Sequence, residues 1–112
     1  MTEDYGLDVQ DFLKVINEVS DYIIVDIRNE DVAKNEGLFS ESFQIEENAI
    51  PYDANEVPSF FKNITLILVG DDPSVSSKWV NNFRQQDKNL NQLYYLNGTA
   101  SDVFLADPRM KE

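Results

Sequence analysis

The sequence contains no cysteine and no histidine. The first absence excludes disulfides, thiolate nucleophiles and thiolate-held zinc. The second removes the usual general base near neutral pH and the commonest metal ligand. Long apolar runs are missing too: none approaches the roughly 20 residues that a membrane-spanning helix needs. Basic residues are scarce, with 9 Lys and Arg against 21 Asp and Glu, giving the 112-residue chain a formal net charge of −12. That sign repels phosphate backbones and anionic lipid, so neither nucleic acid nor membrane is an expected partner. It suits a basic protein partner, or solubility alone. The opening Met1-Thr2-Glu3-Asp4 has neither the basic nor the apolar part of a secretion signal, so the expected location is cytoplasmic. The sequons at Asn63 and Asn97 are read as chance matches.

What is present is enough for one core. Hydrophobic residues make up 42% of the chain and aromatics 12%, which at this length predicts a single domain over 1–112. From Asp8 onward, Val9, Phe12, Leu13, Ile16 and Val19 recur at helical spacing, with Asp8 as cap. The continuous run Tyr22-Ile23-Ile24-Val25 reads as a strand covered on both faces, ending at Asp26-Ile27-Arg28. Asn29 to Asn35 predicts a short helix or loop, and Ser42 to Ile45 a short strand. After an irregular stretch, Asn55 to Lys62 predicts a short helix with Pro58 in its first turns and Val57, Phe60 and Phe61 on its apolar side. Thr65 to Val69 is a core strand. A helix is expected from about Ser76, burying Trp79, Val80 and Phe83. Leu93 to Leu96 is another strand, closed by Asn97-Gly98. Thr99 to Asp102 has the form of a capping box that opens a last helix burying Val103 and Phe104.

Strands alternating with helices predict right-handed crossovers and a parallel α/β sheet. A short strand near Tyr5–Leu7 brings the count to five. Such sheets bind ligands at the carboxyl ends of their strands, here Asp26, Gly70 and Asn97-Gly98.

The order of these pieces resembles the rhodanese-like (sulfurtransferase) domains. Those carry D-V-R after the second strand, then G-H-I-P-G-A-I-N-I, then an apolar strand ending in C-x-x-G-x-R-S, and a later strand closing in L-x-G-G. Here Asp26-Ile27-Arg28 stands at the first place and the segment from Gly37 to Ile45 at the second. Leu68-Val69-Gly70-Asp71-Asp72-Pro73-Ser74-Val75-Ser76 stands at the third, and Tyr95-Leu96-Asn97-Gly98 at the fourth. The resemblance spans nearly the whole chain. It implies a single-domain rhodanese-like fold, an approximately five-stranded, mainly parallel sheet with helices on both faces.

The departures fall where the family's chemistry sits. With Ser76 on the family's loop Ser, Gly70 takes the place of the nucleophilic Cys, Pro73 that of the Gly and Val75 that of the Arg. Leu38 takes the place of the family's His. A persulfide carrier needs a thiolate sulfur, and glycine offers no side chain. Asp71 and Asp72 put negative charge where the family loop cradles an anion. Sulfur transfer and Cys-dependent phosphatase chemistry are therefore excluded, and the resemblance implies fold rather than activity.

Each remaining constellation has two readings. Asp71 and Asp72 either cap the following helix or join Asp26 as a carboxylate cluster able to hold Mg²⁺ or Ca²⁺. Asp26 can instead bond Arg28 or local backbone. Ser74, Ser76 and Ser77 lack a base and read as loop and cap donors. The aromatics read as core, with the Phe60-Phe61 helix as the better candidate for a partner surface. Glu36, Glu41, Glu46, Glu47, Asp53 and Glu56 form either a solvated loop or an acidic face for a basic partner.

The expectation is a non-enzymatic protein-binding or regulatory module with no catalytic residue, no cofactor and no resident metal. Its candidate binding residues are Gly70, Asp71, Asp72, Pro73, Ser74, Val75 and Ser76, supported by Asp26 and Arg28. Inactive members of the resembled superfamily act as protein-interaction modules. The alternatives are an acidic nucleic-acid mimic that inhibits a DNA-binding protein, and a Mg-dependent site on Asp26, Asp71 and Asp72. For the second, a phosphorylation-receiver arrangement would need a Lys after the closing strand, where Asn97-Gly98 stands.

Overall fold

Asp8 has extended backbone, and its carboxylate accepts the Asp11 N–H at 2.8 Å, starting helix α1 (Val9–Glu18). The structure, a computed structural model, describes residues 5–57, 59–88, 90 and 92–112, with only the backbone of Phe60. Before α1 lies the short strand β1 (Gly6–Leu7), and after it β2 (Tyr22–Asp26). Helix α2 (Glu30–Glu36) is capped by the Asn29 side chain and stopped by Gly37, whose φ of 107° only glycine adopts without strain. The remaining elements are β3 (Phe43–Gln44), β4 (Thr65–Val69), α3 (Pro73–Gln86), β5 (Leu93–Leu96) and α4 (Ala100–Ala106). Thr99 and Asp102 form the expected capping box at the start of α4.

The described strands form one sheet in the order β1-β5-β4-β2-β3, and every pair is parallel. In β4, Leu66 and Leu68 face one side while Ile67 and Val69 face the other, the period of two that a doubly covered strand requires. On the first side they pack with Trp79, Val80 and Phe83 of α3 and with Ile50, Ala54 and Phe61. On the second they meet Phe12 of α1, Val103 and Phe104 of α4, and Phe39. No helix among the described residues is long and apolar enough to cross a membrane.

Two expectations need correction. The segment 55–62 is not one helix but two 3₁₀ turns, Ala54–Glu56 and Ser59–Asn63. Val57 between them is extended (φ −70°, ψ 128°), as a residue preceding proline prefers. Pro58 itself and the Phe60 side chain lie outside the described residues. Phe61 is buried, with its ring 5.6 Å from Phe43, so it belongs to the core rather than to a partner surface. The second correction concerns α3, which begins at Pro73 rather than near Ser76. Asp72 is its cap and proline, needing no N–H donor there, fills the first turn.

Candidate functional site

The carboxyl ends of β2 and β4 lie side by side, with Asp26 in register with Val69. The turn after β4 is correspondingly short. Of the seven residues Gly70 to Ser76, only Gly70, Asp71 and Asp72 precede the helix, and Pro73, Ser74, Val75 and Ser76 form its first turn.

The Asp72 carboxylate accepts the Ser74 N–H at 2.8 Å and the Val75 N–H at 3.4 Å, and also binds the Ser74 hydroxyl. The Ser74 hydroxyl, then its N–H, holds the Asp72 carboxyl below its ordinary pKa. These are amide donors that a free helix start would offer to an anion. The chain fills that position with its own carboxylate. Asp71 does something else: its Oδ1 accepts the Asn29 N–H at 2.8 Å, tying this turn to the start of α2. Both aspartates are exposed.

Gly70 is buried against the helix. A Cβ built there would stand 2.5 Å from the Ser76 Oγ and 3.3 Å from the Asp72 carbonyl oxygen. Ser76 is fully buried, and its hydroxyl has no hydrogen-bond partner among the described residues. A hydroxyl without a contacting base is a poor nucleophile. Position 70 thus lacks a reactive atom, and Ser76 crowds the space a side chain there would enter.

Asp26 and Arg28 are buried on the other side of the sheet. Asp26 follows Ile24 by two residues, so it shares the face of Ile24 and Val69, whereas Gly70 continues the face of Leu68. Arg28 makes a two-pronged pair with Asp26, Nε to Oδ1 at 2.8 Å and Nη2 to Oδ2 at 2.7 Å. Its Nη1 reaches Glu36 at 3.4 Å, and its guanidinium lies 5.4 Å from the centre of the Phe39 ring. Burial opposes the Arg28 charge, but the hydrogen bonds and charge of Asp26, with those of Glu36, hold its pKa above the ordinary value. The pair borders a pocket of about 280 Å³, together with Lys34, Leu38 and Gln44.

The sheet therefore separates residues that the sequence reading grouped. Asp26 is bound to Arg28, Asp71 to the Asn29 backbone, and Asp72 to the first turn of α3. No group of three acidic side chains close enough to share a metal ion occurs among the described residues.

Sequence reasoning missed the groups that complete the Arg28 site. Glu36 bridges Arg28 and the Ser101 hydroxyl, which donates to Glu36 at 3.1 Å and so joins α2 to α4. Asn29, Glu36, Phe39 and Ser101 carry no local motif. Only the eight-residue step from Arg28 to Glu36, one acid on a helix after a buried base, offers a signal.

No family model matches the sequence, and no curated protein matches it. Solved structures do. One is a protein of unknown function and possible tyrosine phosphatase from Rhodopseudomonas palustris: TM-score 0.72, 17% identity, 92% of this chain and 81% of that one covered. Another is a rhodanese-related protein from Thermoplasma volcanium, with TM-score 0.66, 14% identity and coverage of 91% and 92%. A rhodanese-like domain protein from Staphylococcus aureus gives TM-score 0.59, 20% identity and coverage of 84% and 83%. The chain has a rhodanese-like fold and carries no cysteine.

Proposed function

We propose that this chain is a catalytically inactive rhodanese-like domain that works in the cytoplasm as a protein-binding or regulatory module. The observation that carries the reading is position 70. It corresponds to the nucleophile of the resembled domains, it is a glycine, and the Ser76 hydroxyl stands 2.5 Å from where a Cβ would be. Sulfur transfer needs a sulfur atom that forms and breaks a persulfide bond, and no residue of this chain supplies a thiol. The exposed residues of the turn from Gly70 to Ser76 serve instead as part of a contact surface. In support, the exposed carboxylates of Asp71 and Asp72 stand at the carboxyl end of the sheet, where open α/β folds meet their ligands.

The test pairs an assay with a capture. Purified protein incubated with thiosulfate and cyanide forms no thiocyanate; formation would overturn the reading. Immobilised protein captures a partner from extract of its source cells, and an Asp71→Ala/Asp72→Ala variant, confirmed folded by its melting curve, captures less. Equal capture by both removes the turn from the contact surface. Capture only of a DNA-binding protein, lost at high salt, would favour the acidic mimic instead.

A further inference from the structure

Between the first face of the sheet and the segment that crosses it from Phe43 to Phe61 lies a cavity of about 190 Å³. Val25, Ile45, Val57, Leu66 and Leu68 are among its walls, and Glu56 is the single charged side chain lining it among the described residues. It opens to solvent beside Glu56, which is exposed, and Phe43, which lines it while 44% exposed. An apolar cavity of about 150 Å³ already admits a benzene ring, so this one has room for a phenyl-sized group.

The stretch of chain that supplies half of the lining, Phe43 to Phe61 with the residues just before it, carries charge of one sign. From residue 35 to 61 the chain has Glu36, Glu41, Glu46, Glu47, Asp53 and Glu56 and not one Lys or Arg. Three of these acids have work within the fold. Glu36 binds Arg28, Glu47 accepts the Trp79 indole N–H at 3.3 Å, and Asp53 caps a 3₁₀ turn. Glu41, Glu46 and Glu56 are exposed, and no cation or donor among the described residues meets their carboxylates. The exposed ring of Tyr52 (74%) stands beside Pro51, which also lines the cavity.

We infer that this cavity is the anchor pocket for a basic protein segment, which seats one aromatic or branched apolar side chain in it while flanking Lys or Arg residues meet Glu56 and the other exposed acids of this stretch. Deep apolar pockets that accept one large side chain dominate binding energy where they occur, and opposite charge at the rim adds rate and selectivity. One exposed carboxylate at a ring-sized cavity, with further unmatched acids on the same stretch of chain, fits a segment with several positive charges better than a lone amine. The inference rests on the protein-binding reading above and names a surface for it.

The experiment uses isotope-labelled protein and four probes: Lys-Lys-Phe-Lys-Lys, its alanine-centred and glutamate-flanked counterparts, and phenethylamine. The phenylalanine-centred basic peptide shifts the methyl resonances of Val57, Leu66 and Leu68 and binds about tenfold or more tighter than the alanine-centred one. The glutamate-flanked peptide binds more weakly than the basic one. Val57→Phe, which fills the mouth, and Glu56→Lys, an exposed change that spares the core, each weaken the basic peptide. Equal binding of the alanine-centred peptide overturns the inference, as does undiminished binding by both variants. Binding of phenethylamine as tight as that of the peptide assigns the cavity to a small amine and also overturns it. If the peptides fail while the capture experiment succeeds, this inference falls alone; if capture fails too, the protein-binding reading falls with it.

Discussion

A side chain at position 70 and the hydroxyl of Ser76 compete for one space, and that competition has measurable consequences. The Ser76 hydroxyl is buried and unpartnered among the described residues, a condition that costs about 1–3 kcal/mol. Ser76→Ala is therefore expected to raise Tm. Gly70→Cys brings a Cβ within 2.5 Å of that hydroxyl and within 3.3 Å of the Asp72 carbonyl. Overpacking of this kind costs about 1–3 kcal/mol. Gly70→Cys should lower Tm and produce no thiocyanate from thiosulfate and cyanide. The Gly70→Cys/Ser76→Ala pair should recover part of the loss, so that a double-mutant cycle by urea melts shows coupling. Strict additivity would mean that the two positions do not contend. A thiol added at position 70 still lacks the family's Arg, replaced by Val75, and still faces two carboxylates.

At the scale of elements, the start of α3 is set by Asp72. Its carboxyl is held below its ordinary value of 3.8 chiefly by the Ser74 hydroxyl, then by the Ser74 N–H. A carboxyl whose folded pKa is depressed contributes stability that is complete above its unfolded pKa and is lost as pH falls through the lower folded value. Asp72→Ala should therefore lower Tm clearly at about pH 7, and the gap should narrow as pH falls below the ordinary carboxyl value of 3.8. A gap independent of pH would show that Asp72 acts through backbone geometry alone.

Elements with a strong local signal were legible in the sequence. The apolar run of Thr65 to Val69, the cap at Asp8 and the box from Thr99 to Asp102 all describe what forms. Helix α3 started earlier than its apolar stripe suggested because a cap and a proline need no apolar neighbour. Residues 54–63 misled because Val57 precedes a proline, while the apolar spacing around it still mimics a helix. At the site, the absence of any thiol was legible from composition alone. The opposite facing of Asp26 and Gly70 was less so, although it follows once the strand ends are fixed. The Glu36–Ser101 contact joins residues 65 apart, and only the packed sheet brings them together.

For the whole molecule, charge is the quantity to argue from. The Cα radius of gyration is 13.1 Å, close to the 13 Å or so of a compact chain this long. A net charge of −12 on that particle opposes folding through self-repulsion. The described ion pairs act in the other sense, but in Lys34–Glu30 both side chains are exposed and in Arg109–Asp107 the arginine is, and such pairs are worth about 0–1 kcal/mol. The buried Arg28–Asp26 pair is screened little by salt. Screening therefore removes more repulsion than attraction. Tm should rise as NaCl goes from about 0.01 M to about 0.5 M, over which the Debye length shrinks from about 30 Å to a few ångströms. Across the same range the basic phenylalanine-centred peptide should lose affinity, because Glu56 and the other acids available to it on that stretch are exposed. The ring in the cavity should keep a salt-insensitive remainder that the alanine-centred peptide lacks. A Tm that falls with salt would mean that local ion pairs outweigh the net charge, and the acids from Glu41 to Glu56 would then no longer be an unspent attraction available to a partner.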